Sequence, residues 1–144
     1  MIESPLPENL AMSNQDEAAQ AIPDQEPVST RASGNTIATI VWTTVPDSKN
    51  AKNIAQTVVT ERLAACVHCF PAGRSVYRWN DAIEENDEQV LMIKTTPKQL
   101  DALECRLREL HPYDVPEILA TSVVAGDPDY LQWLNACVKQ TSPA

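Results

Sequence analysis

His111-Pro112-Tyr113-Asp114-Val115-Pro116-Glu117 gathers one of the two histidines of the chain, a tyrosine and two carboxylates into seven residues. Neutral imidazole is the commonest ligand for copper and zinc and titrates near physiological pH. His111 is therefore the leading candidate for a metal ligand, with Glu117 a weaker oxygen donor from the same stretch. The competing reading places His111 at the end of the preceding helix, where a cation is favoured. Each proline sets its own φ and pushes the residue before it toward extended geometry. His111 and Val115 both precede a proline, so no helix runs through. The stretch is expected to be a stiff link that ends a helix, feeds the strand beginning at Ile118, and aims its side chains in set directions.

A second group is Cys66-Val67-His68-Cys69. Thiolates suit copper(I) and zinc, and Cys-x-x-Cys spacing is common in such sites. On a strand, side chains alternate faces, so Cys66 and His68 share one side and Cys69 points to the other. Cys66 is a candidate metal ligand or a buried structural thiol. Cys105, beside the Leu103 and Leu107 stripe, reads as a small core residue. Tyr77, Arg78 and Trp79 form a candidate intersubunit pocket, with Arg78 for anion recognition; strand packing explains Tyr77 and Trp79 as well. Tyr113 joins them as a pocket candidate. Lys94 sits in an apolar strand and requires a partner, for which Glu117 or Asp114 is expected. Glu61 and Arg62 read as an ion pair at a helix end. Tyr130 and Trp133 read as core or interface anchors. No Ser-His-Asp order, no paired-carboxylate spacing and, with three glycines in the whole chain, no glycine-rich phosphate loop is present. No catalytic residue is assigned and no enzyme is expected.

The elements that position these residues follow from periodicity. Thr36–Thr44 is β-branched and apolar, as in a central strand. Pro46-Asp47-Ser48 ends it and supplies a helix cap. Ala51, Ile54, Ala55, Val58 and Val59 recur at helical spacing, predicting a helix to about Arg62. Ala65–Phe70 and Arg74–Trp79 read as strands, Asp81–Glu88 as a hairpin turn or its flanks, and Gln89–Thr95 as a buried strand. Pro97 opens a helix carrying Leu100, Leu103, Leu107 and Leu110. A strand to about Val124 follows the stiff link, and a short helix covers Tyr130–Cys137. The order β-α-β, hairpin, α-β, helix predicts an α+β, ferredoxin-like sandwich with a long β-hairpin and a C-terminal helix. Such a hairpin leaves exposed edges unless another chain covers them, which points to an oligomer.

The chain of 144 residues suffices for one domain and an extension. Residues 1–34 hold Pro5, Pro7, Pro23 and Pro27, many polar residues and no aromatic. They are expected to be a disordered acidic extension, with a transient helical turn at Asn14–Ile22. The domain is expected at 35–140. A net charge of −9 without a basic cluster argues against nucleic acid and against an anionic membrane as partners. No apolar run approaches the roughly 20 residues that cross a bilayer. No secretory signal pattern is visible, so a cytoplasmic protein with reduced thiols is expected.

Several motifs then stand in register: Thr43-Thr44-Val45-Pro46-Asp47, Glu61-Arg62-Leu63-Ala64-Ala65-Cys66, Tyr77-Arg78-Trp79, Ile93-Lys94-Thr95-Thr96, His111 to Glu117, Gly126-Asp127, and Tyr130-Leu131-Gln132-Trp133-Leu134. In this order they resemble the CutA family of divalent-cation-tolerance proteins over about residues 36 to 138. The resemblance implies a ferredoxin-like fold, a compact homotrimer shaped like the PII-type signalling proteins, and tolerance of copper and other divalent cations. It implies a copper-linked role for His111. Some members carry a cysteine at the position of Thr43 and a histidine at that of Leu110; neither ligand is present here. The expectation is a trimeric, metal-binding protein, copper(II) being the leading ion, with His111, Cys66 and Glu117 as ligands. The alternative is a PII-like trimer that binds a small molecule or a partner protein in its intersubunit clefts.

Overall fold

The computed structural model describes residues 37–140; the acidic extension and the helical turn expected at Asn14–Ile22 lie outside the described residues. Strand β1 (Ala38–Val45) alternates in burial, with Val41, Thr43 and Val45 fully covered. Asp47 caps helix α1 (Ser48–Thr60), accepting from the Asn50 amide at 2.8 Å, which satisfies one of the free N–H groups of the first turn. The helix ends at Thr60, two residues before the end that its apolar stripe suggests. Arg62 takes a left-handed φ of 60°, and the Leu63 amide folds back on the Val58 carbonyl at 2.9 Å, as in a helix-terminating motif.

Strand β2 is short (Cys66–Cys69). Strands β3 (Gly73–Trp79) and β4 (Ala82–Thr95) form the long hairpin. Its turn is the pair Asn80 and Asp81, both with positive φ (50° and 59°), as a two-residue primed turn requires. Asp81–Glu88 is thus one turn residue and its flank: all but Asp81 belong to one 14-residue strand, longer than the buried strand expected from Gln89. Its pattern alternates among polar residues, so apolar periodicity does not reveal it. Arg74 reaches across to Glu85 (3.2 Å) and Asp87 (3.5 Å), cross-strand pairs that keep the charges in solvent. A 3-10 turn (Pro97–Gln99) precedes helix α2 (Leu100–Leu110). Strand β5 (Leu119–Val123) and helix α3 (Pro128–Cys137), capped by Asp127 on the Tyr130 amide at 3.0 Å, complete the chain.

The antiparallel sheet runs β2-β4-β1-β5, with β3 paired to the outer half of β4. This is the ferredoxin-like α+β arrangement that the element order predicts. Val41, Val45, Leu91 and Ile93 point to one face and pack with Ile54, Val58, Leu103 and Leu107 of α1 and α2. Ala38 has the opposite parity to Val41 on β1 and packs with Ala65, Leu134 and Val138, so α3 covers one end of the other face. No described helix is long and apolar enough to cross a membrane.

Candidate functional site

The stiff link after α2 lies against the end of β1 and the middle of β4. His111 is the first residue beyond the helix, with its amide on the Leu107 carbonyl at 2.8 Å and extended backbone (φ −74°, ψ 136°), as a residue before proline prefers. Its side chain is buried, 8% exposed. Nε2 lies 2.9 Å from the Thr44 carbonyl and must donate to it, while Nδ1 accepts from the Tyr113 amide at 3.1 Å. Both bonds require the neutral tautomer that is protonated on Nε2. Burial first of all lowers the pKa of His111, against the Thr44 bond and the Glu88 charge, which raise it. The ring thus ties the link to β1, with both nitrogens in use.

Tyr113 extends from this anchor. Its ring lies 5.0 Å from that of His111, and its hydroxyl donates to the Glu88 carboxylate at 2.9 Å. Burial, then the bond and charge of Glu88, push the phenol pKa well up. Glu88 is only 7% exposed, and this bond gives its oxygen a donor. Together Thr44, Ser75, Val76, Tyr77, Glu88, Tyr113, Val115 and Glu117 line a cleft of about 290 Å³. Glu117 is pushed above its ordinary pKa by burial and then by the Glu88 charge. Tyr77 is raised chiefly by burial, then by Glu88 and Glu84, and its hydroxyl accepts from the Asn86 amide nitrogen at 2.6 Å. The lining contains two carboxylates and no Lys or Arg.

The cleft brings together Tyr77, Tyr113 and Glu117, with His111 behind it. Arg78 and Trp79 are not part of the lining. Cys66 is registered opposite Lys94, six positions along β4 from Glu88, or roughly 20 Å at ~3.3 Å per residue. His111, Cys66 and Glu117 therefore do not converge within the chain, and no three His, Cys, Asp or Glu side chains among the described residues group to hold a metal ion.

Lys94 is not paired with Glu117 or Asp114. Even-numbered positions at the end of β4 face α3, so its ammonium donates to the Tyr130 hydroxyl at 3.1 Å, 5.5 Å from the ring centroid. Glu61 pairs with Arg106 at 2.9 Å rather than with its neighbour Arg62, whose left-handed backbone turns it away. Cys105 is exposed, not core, because it sits two positions from both Leu103 and Leu107, about 200° around the helix from each. Tyr130 and Trp133 stay partly open, at 42% and 46%. All four cysteines are free thiols. Sequence reading misses Glu88, which lies in the polar stretch read as a hairpin turn or its flanks; alternation among Glu84, Asn86 and Glu88 is the available signal.

The family model described as CutA1 divalent ion tolerance protein matches residues 39–137. The divalent-cation tolerance protein CutA of Thermus thermophilus is 44% identical over 96 residues, spanning 67% of this chain and 93% of the relative. That of Escherichia coli K12 is 42% identical over 108 residues, spanning 74% and 96%. Among solved structures, CutA1 from Oryza sativa superposes with a TM-score of 0.71 at 36% identity, covering 72% of this chain and 95% of its own. With sequence and fold agreeing over the whole described domain, the chain belongs to the CutA1 divalent ion tolerance family.

Proposed function

We propose that this chain serves divalent-cation tolerance as a cytoplasmic homotrimer, and that copper(II) is the ion met at the Glu88–Glu117 cleft, with His111 positioning the wall. One observation carries this reading: two carboxylates share a cleft without a cationic side chain, and the Glu88 charge adds to burial in pushing the Glu117 carboxyl above its ordinary pKa. A dication relieves that repulsion, and carboxylates are competent oxygen donors. Since one subunit supplies too few donors, the remaining ligands come from a neighbouring copy. Support for the oligomer comes from the hairpin, where Val76 and Ile83 are 59% and 60% exposed. The Trp79 indole N–H is also buried without an acceptor among the described residues. A second copy on the hairpin covers these groups.

Calorimetric titration of the full chain with copper(II) and zinc(II) tests the reading. Glu117→Gln and Glu88→Gln are expected to weaken copper(II) by about tenfold or more, by analogy with the cost of disturbing a metal shell. Equal affinity in wild type and both variants would sink it. A second reading, a PII-like trimer taking a small molecule, is favoured by the apolar wall of Val76 and Val115 beside the two tyrosines. Heat from a metabolite panel, without heat from metals, would select it.

A further inference from the structure

We propose that Cys66, His68 and Met92 form a separate soft-metal site for copper(I), bordered by Trp42. Cys66 and His68 stand two apart on β2 and so share a face. Met92 is registered directly opposite His68, and on its other side directly opposite Trp42 of β1. Antiparallel partners share a face, so all four side chains lie together, on the side opposite Val67, Leu91 and Ile93, which pack toward α1 and α2. Directly opposed residues have Cβ atoms about 4.5–5.5 Å apart and diagonal ones roughly 7–8 Å, within reach of one ion for a thiol, an imidazole and a flexible thioether. His68 is exposed, Cys66 and Met92 half-buried, so an ion has access. The His68 ring is braced edge-on by Phe70, centroids 4.8 Å apart at 76°.

The donor chemistry selects the ion. Thiolate, imidazole and thioether are soft or borderline, and none is an oxygen donor, so copper(I) is preferred over hard dications. Binding displaces the thiol proton to solvent and leaves a neutral copper–thiolate unit, with no change of oxidation state. Lys94 stands opposite Cys66, with its ammonium held by the Tyr130 hydroxyl at 3.1 Å. This row lies four positions along β4 from Glu88, about 13 Å at ~3.3 Å per residue, and so is independent of the carboxylate cleft.

The test is anaerobic titration of the full chain with copper(I) against a coloured chelator, repeated with silver(I) as a redox-stable probe. One ion per subunit is expected. Cys66→Ser, His68→Gln and the volume-conserving Met92→Leu are each expected to weaken it by more than the roughly 10–100-fold that loss of an outer-shell partner costs. The triple variant Cys69→Ser/Cys105→Ser/Cys137→Ser, and Glu117→Gln, are expected to bind as wild type does. Unchanged affinity in Met92→Leu or His68→Gln, in protein that melts normally, overturns the proposal. Loss of binding in the triple variant overturns it as well. Because Glu117→Gln affects only the carboxylate cleft, failure of one site is distinguishable from failure of the other.

Discussion

At the scale of single residues, His111 is the hinge of the argument. Its two ring nitrogens fasten the stiff link to β1 and to Tyr113, and the fastening needs the neutral ring. A histidine whose folded pKa lies below its ordinary 6.5 binds fewer protons folded than unfolded. Stability from it is therefore complete above about pH 6.5 and falls as pH drops below that value. Glu117 works in the opposite sense: its raised pKa makes its contribution greatest below its ordinary value and smaller as pH rises. Urea titrations of wild type and His111→Gln across pH 5–8 separate the two, since the Glu117 contribution, common to both proteins, cancels in the difference and only the histidine contribution remains. A difference curve that is flat through pH 6 contradicts this account. Tyr113→Phe removes the donor to the nearly buried Glu88. It is expected to cost about 1–3 kcal/mol, the usual penalty for stranding a buried polar group, measured by denaturation at neutral pH.

At the scale of elements, the hairpin shows how local chemistry sets what a site contains. The turn Asn80-Asp81 holds two non-glycine residues in left-handed geometry, a conformation costing roughly 1–2 kcal/mol for ordinary residues and less for Asn or Asp. Asp81→Gly relieves this at the price of added freedom in the unfolded chain. The net expectation is a stabilisation of up to about 1 kcal/mol, read as a higher urea midpoint with unchanged slope; a lower midpoint would refute the turn assignment. Because the turn is only two residues long, all of Ala82–Thr95 is strand. One strand thereby carries Glu88 to the cleft, Met92 to the row with His68, and Lys94 to α3.

At the scale of the whole molecule, the proposed homotrimer predicts a light-scattering mass of three chains at micromolar concentration. Charge reversal at the apolar hairpin surface, Ile83→Glu, is expected to shift the mass toward one chain. A single-chain mass in the wild type would remove both the cover for Val76 and Ile83 and the source of further ligands for the carboxylate cleft. The charge balance of −9 fits a protein that meets cations, through its long-range attraction for them, but site chemistry, not net charge, selects the ion.

The sequence by itself determined the order and type of nearly every element, because helical and strand periods are local properties of neighbouring residues. It also established that the link from His111 to Glu117 is rigid, since proline restricts backbone torsions without tertiary help. It placed Cys66 and His68 on one strand face by parity alone. Only the tertiary structure decided that His111 spends both nitrogens on backbone groups, that Glu88 rather than Lys94 meets the link, and that Met92 stands opposite His68. Thr44 and His111 are far apart in sequence, as are Met92 and His68. Their meeting depends on strand register and on which face of the sheet each helix covers, and both are set by burial of the core as a whole rather than by any local pattern.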